Sequence, residues 1–282
     1  MNPLRGVVQA VAGRIRGLAD KETRALAWRL NMAADGSRDS VLRAMGADSV
    51  IPARMDPFDS GARKPFNNAS SGADFFLRNI YGRQYHHDYS TRAFAYIDSL
   101  ASVPAGWHRI FAYFARGRPN GGIWLGDTDL LNLGHPDWPP GKEGGPQGAP
   151  NGVTWAHILG LYDSNSRAML VGRGLGGSVD VAVHELGHAV DHALGEQGKD
   201  AVGWLSDGEA FKAVHSIVVP YLRSIDPAVA DMYAEPQTGR KQLFAESFAW
   251  FHRTYGESFS GSFIAAEHLT DYYRALSSSL RI

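Results

Sequence analysis

Residues Val181–His192 read VAVHELGHAVDH, and the interpretation of this stretch decides what kind of protein the chain is. Its polar residues, His184, Glu185, His188, Asp191 and His192, sit among Val181, Ala182, Val183, Leu186, Ala189 and Val190. That apolar setting predicts a buried helix, with Ser178 at the N-cap, Asp180 in the first turn and Gly195 just past the end. Residues four apart on a helix share a face, so His184 and His188 can present both imidazoles to one ion. Glu185 lies about 100° round the helix, placed to reach a water beside that ion rather than to ligate. Two neutral imidazoles, a base and an open coordination position make a zinc hydrolase helix. Chance supplies only about 0.01 such H-E-x-x-H matches at this composition. Without a metal, three polar side chains would have to be buried here at a cost.

The third ligand lies elsewhere. His192 follows His184 by eight residues, about 12 Å along the axis, too far for one ion to bridge on a straight helix. A third histidine at position 194 is excluded because that residue is Leu194, and Asp191 stands where that longer motif needs glycine. Asp191 is instead a candidate to accept the second N–H of a ligand histidine; the competing reading is a solvated acid near a helix end. Glu246, in LFAESFAWF, is the only charge between Lys241 and His252 and is the candidate third ligand. The competing reading makes it an exposed glutamate on a polar strip with Ser247. Asp207, Glu209, Asp231, Glu235 and Glu257 sit in more polar surroundings and are weaker candidates.

Bulk properties narrow the chemistry. A chain of 282 residues, 44% hydrophobic and 20% charged, is long enough for one large domain or one domain with an extension. A net charge of −1 offers no electrostatic case for nucleic acid or an anionic membrane as main partner. No apolar run reaches the length of a transmembrane helix, and the arginine-interrupted start is not a secretory signal peptide. With no cysteine, a transition-metal site must use histidine and carboxylate.

Residues 1–70 are expected to form a helical, mildly basic N-terminal extension, ending in a loop rich in Pro, Gly, Asn and Ser. Residues 71–282 are expected to form the catalytic domain. In it ADFFLRNIYGR and TRAFAYIDSLASVP read as helices, RIFAYFA and GGIWLGD as strands, and TWAHILGLYDSNSRAMLVG as two strands joined at Asp163–Ser166. Gly134–Gly152 is a long Pro/Gly loop, and everything beyond the H-E-x-x-H helix reads as mostly helical. The strand Gly122, Ile123, Trp124, Leu125 is the candidate sheet edge for an extended substrate; the competing reading is an interior strand.

VAVHELGHAVDH, followed 58 residues after His188 by LFAESFA, resembles the gluzincin metallopeptidases. More narrowly, it is similar to the lethal-factor-like group that includes the anthrax lethal factor catalytic domain and the secreted Pro-Pro endopeptidases. The similarity runs from about Phe75 to the C-terminus. It implies an α+β zincin-like fold: a small mixed sheet, an active-site helix and a helical C-terminal part. It implies one Zn2+ held by His184, His188 and Glu246, with Glu185 as general base. It also implies a tyrosine that stabilises the oxyanion, for which Tyr233 is the nearest upstream match although thirteen residues before Glu246; His215 and Tyr255 are the alternatives. The expected activity is a zinc endopeptidase acting on a protein or peptide substrate, a leaderless secreted or delivered toxin or effector, or else a cytoplasmic enzyme. Two further readings stay open: a non-catalytic zinc-containing binding protein, and a zinc hydrolase of a non-peptide bond.

Overall fold

The computed structural model describes residues 69–145, 153–174, 178, 180–197, 203–236, 238–253 and 266–282. The expected extension over residues 1–70 lies outside these but for its last two residues, and so does Tyr255. The fold is α+β, a small mixed sheet with mostly helices around it. Among the described residues no helix is long and apolar enough to cross a membrane. The contacts divide the chain into two compact units, with a boundary between Val190 and Asp191. Sequence punctuation suggested a break near residue 70; this one falls within the expected catalytic domain.

In the unit that ends at Val190 the elements are α1 (Ala69–Tyr81), β1 (Tyr85–His87), α2 (Thr91–Ala101), α3 (Ala105–Ala115), β2 (Gly122–Leu125), β3 (Gly160–Asp163) and β4 (Ala168–Val171). The sheet order is β1-β2-β4-β3, with β1, β2 and β4 parallel and β3 antiparallel to β4. All four residues of β4 are buried, as a central strand covered on both faces requires, whereas β3 is mostly half-buried. Leu130, Leu131 and Trp138 pack with Ala168 and Leu170 in one cluster.

RIFAYFA, expected as a strand, is the second half of helix α3. The aromatic content is strand-like, but the burial period is not. Trp107, Phe111, Phe114 and Ala115 are buried while Arg109, Tyr113 and Arg116 face solvent. A strand would put residues 107, 109, 111 and 113 on one face; a helix separates them as found. The hairpin expected at Asp163–Ser166 is present as β3 and β4.

Helix α4 (Val181–Gln197) begins in this unit and ends in the other. The second unit continues with α5 (Glu209–Ile225), α6 (Pro227–Ala234), α7 (Gly239–Arg253) and α8 (Ala266–Leu280). Asp226 caps α6 by accepting from the Ala228 and Val229 N–H groups, with Pro227 in the first turn, where its missing donor costs nothing. The core here is aromatic. The Phe211 ring lies 5.2 Å from Phe244 and 5.1 Å from Tyr272, and Phe244 lies 5.4 Å from Tyr273.

Candidate metal centre

Helix α4 is fixed at its start by Asp180. Its Oδ1 accepts from the Val183 N–H at 3.2 Å, its backbone oxygen accepts from the His184 N–H at 2.8 Å, and its Oδ2 accepts from the Ser99 hydroxyl of α2. Asp180 is therefore the N-cap, not Ser178, whose Oγ instead accepts from the Asp180 N–H at 3.3 Å. An acid two residues nearer the helix satisfies an orphan N–H and faces the positive end of the helix dipole as well. At the far end Gly195 lies inside the helix rather than past it. It is glycine because the Trp204 backbone passes there: a Cβ would sit 2.4 Å from Trp204 Cα.

His184, Glu185 and His188 are all buried, and the two imidazole centroids lie 4.8 Å apart at an interplanar angle of 81°. The helix thus brings two nitrogen donors together one turn apart, as their spacing predicted. Glu185 packs against β3. A Cβ on Gly160 would fall 2.8 Å from Glu185 Oε1, 3.0 Å from its Cγ and 2.6 Å from Val181 Cγ2. The absent side chain at Gly160 is what lets the carboxylate lie over the strand. No pattern in the sequence singles out Gly160, and the sequence reading places Asp180 in the first turn rather than at the cap.

The expectation that Gly122, Ile123, Trp124 and Leu125 form the substrate edge fails. β2 is interior, hydrogen-bonded to β1 on one side and β4 on the other, so its backbone groups have partners already. Ile123 and Leu125 are buried, and the Trp124 ring stacks on His86 at 3.8 Å. A Cβ on Gly122, at φ +131°, would meet Gln84 O at 2.1 Å, the backbone of the neighbouring segment rather than a ligand space. The sheet edge next to Glu185 is β3.

Asp191 does not take the expected role. It is fully buried, its Oδ1 accepts from the Ser206 N–H at 2.6 Å, and its Oδ2 has no hydrogen-bond partner among the described residues. It therefore ties α4 to the turn Leu205–Asp207 instead of accepting from an imidazole, and burial pushes its carboxyl up to about 7. His192 is buried too. Its ring stacks on Trp204 at 4.7 Å, and its Nε2 lies 3.6 Å from Glu196 Oε1. Lys241 Nζ sits 4.4 Å from the same indole.

Glu246, on α7, is half-buried, and Tyr233, on α6, is buried. Burial first, and then the Glu246 charge, raise the Tyr233 hydroxyl above its ordinary pKa, so it stays a neutral donor. The thirteen-residue gap is taken up by a tight return. The Gly239 N–H donates to Glu235 O at 2.9 Å, and a Cβ on Gly239 would meet Tyr233 O at 2.1 Å. Glycine at 239 lets the start of α7 approach the Tyr233 carbonyl closely, and the Glu246 charge acts on the Tyr233 hydroxyl despite the spacing. His215 Nε2 donates to Tyr233 O at 2.8 Å, so that nitrogen is already engaged.

Among the described residues no three histidine, aspartate or glutamate side chains are gathered as a metal cluster. Helix α4 carries the His184–His188 pair with Glu185, and α6 and α7 carry Tyr233 and Glu246. No protein-family model matches the chain, and no curated protein matches it.

Proposed function

We propose that the chain is a zinc-dependent endopeptidase of the zincin type, hydrolysing peptide bonds of a protein substrate. The observation that carries this reading is the buried His184–Glu185–His188 constellation. Two imidazoles 4.8 Å apart on one helix stand beside a carboxylate laid against the edge strand β3. The donor set fits zinc: nitrogen from two buried histidines, carboxylate oxygen from Glu246 as the proposed third ligand, and no thiolate anywhere in the chain. A bound zinc ion supplies Lewis acidity toward a water and the scissile carbonyl.

The remaining chemistry belongs to the chain's own residues. Glu185 accepts the proton of the attacking water and hands it to the amine nitrogen as the C–N bond breaks. The neutral Tyr233 hydroxyl donates to the carbonyl oxygen as that oxygen gains negative charge. β3, with β4 on one side, offers its other edge to an extended substrate backbone, in place of the β2 edge expected from sequence. Delivery of the enzyme to another cell is part of the proposal on the resemblance alone, and appearance of the tagged protein in culture medium tests it.

The decisive experiment measures zinc per chain and cleavage of a peptide library by the full-length protein. Glu185→Gln is expected to lower kcat/KM by about 10²–10⁴-fold with zinc content unchanged. Folded protein that takes up no zinc at neutral pH would overturn the reading.

A further inference from the structure

Away from α4, helices α1 and α3 leave a groove of about 620 Å³ between their outward faces. Its walls are mostly apolar, with Phe75, Phe76 and Ile80 from α1 beside Asn79, and Ala112 and Tyr113 from α3. Two of these are unusual on a surface, since Phe75 is 66% exposed and Tyr113 71%. Keeping large aromatic rings in water is unfavourable, and clustered exposed rings mark interaction sites rather than chance. The groove floor is held rigidly. Phe76 meets His108 edge-on at 5.7 Å, and both ring nitrogens of the buried His108 are bonded, to the Tyr81 hydroxyl and to Leu100 O.

The same groove carries two positive charges. Arg109 and Arg116 line it from α3, seven residues apart and so on one face, about 10 Å apart along the axis. No carboxylate among the described residues pairs with either; Arg116 makes only a long 3.5 Å bond to Ile80 O. An apolar trough flanked by two such cations is complementary to an acidic, amphipathic chain.

We propose that this groove docks a helical segment of a protein partner that carries apolar side chains on one stripe and carboxylates on its flank. The apolar stripe seats between Phe75 and Tyr113, and carboxylates at positions i and i+7 match the Arg109–Arg116 spacing. A concave site with two cations, in a chain of net charge −1, suits a peptide better than a lipid surface. The proposal does not depend on the zinc chemistry.

The test pans a random library of helix-favouring peptides against the full-length protein. The expected winners carry an acidic pair at i and i+7 around aromatic or aliphatic anchors. A labelled synthetic winner is expected to bind about tenfold more weakly to Tyr113→Ser, and separately to Arg109→Glu, and to weaken as salt rises. Both positions are solvent-facing, and unchanged melting curves check that each variant folds. The proposal is overturned if no peptide family emerges, if winners lack the acidic pair, or if both variants bind as wild type. It is equally overturned if phosphatidylserine-rich vesicles bind through the same residues, or if the groove mediates self-association that Tyr113→Ser abolishes in sedimentation.

Discussion

Gly160→Ala offers the sharpest test of how Glu185 is positioned. The added methyl would lie 2.6 Å from Val181 Cγ2 and 2.8 Å from Glu185 Oε1. Carbon contacts are comfortable near 3.5–4.0 Å, so about 1 Å of retreat is needed. Val181 is β-branched, in the first turn of α4, and has little rotamer freedom with which to yield. Glu185 has three side-chain torsions and moves instead, so its carboxylate swings off the strand. Overpacking of this kind costs about 1–3 kcal/mol of stability. A base displaced by about 1 Å loses roughly 100-fold in rate, equivalent to about 2.7 kcal/mol of barrier. The assay compares wild type and variant in three measurements: kcat/KM on the best-cut library peptide, zinc per chain, and the urea midpoint. The expected pattern is a hundredfold fall in kcat/KM, mainly in kcat, with zinc retained and a modest drop in midpoint. Wild-type kcat/KM in the variant would refute the placement of Glu185 against β3. Zinc and activity lost in parallel would refute it too, because the helix would then have moved as a body.

Glu246→Ala is expected to release zinc while leaving the fold intact, read by metal content and by the melting curve; unchanged zinc content removes Glu246 from the ligand set. His108 is fully buried and its pKa is lowered by burial to about 4, below its unfolded value, so the native state resists its protonation. The stability it carries is present above about pH 6.5 and falls as pH drops toward 4, by roughly 3 kcal/mol in all, so amide protection factors in α2 and α3, corrected for the intrinsic exchange rate at each pH, should fall over that window and His108→Gln should flatten the dependence. Asp191 acts in the opposite sense: a carboxyl raised to about 7 is penalised once ionised, so protection of the Leu205–Asp207 turn should fall as pH rises from about 4 to 7, and Asp191→Asn should remove that slope. Gly195→Ala gains up to about 1 kcal/mol of helix propensity but places its methyl 2.4 Å from rigid Trp204 backbone, so net destabilisation is expected in thermal melts.

The parts of this protein that were legible in its sequence are those governed by local periodicity. The H-E-x-x-H spacing on an apolar helix required His184 and His188 to converge, and they do. The Asp163–Ser166 turn joined its two strands as read. What escaped was set by tertiary partners. RIFAYFA has the composition of a strand, and only the alternation of buried and exposed residues in the folded chain marks it as α3. Strand order is not written along a chain, so GGIWLGD looked like an edge although β1 and β4 flank it. Asp191 has the spacing of a histidine-orienting acid, yet Ser206, fifteen residues on, claims its oxygen. The Tyr233–Glu246 separation looked too long because a turn's depth depends on a single glycine, Gly239, meeting a carbonyl.

The passage of α4 from one unit into the other constrains how the protein can be taken apart. A fragment ending at the contact boundary, Val190, would keep ten of the helix's seventeen residues. Its last four carbonyls, from residues 187–190, would lose their intrahelical partners and fray into water. His188 lies in that final turn, whereas His184 is two turns from the cut and stays wound. Such a fragment would hold one imidazole firmly and present the other on an unravelling end, so a shortened version meant to keep His184 and His188 in place should run at least to Gln197, and one meant to keep Glu246 as well must include α7.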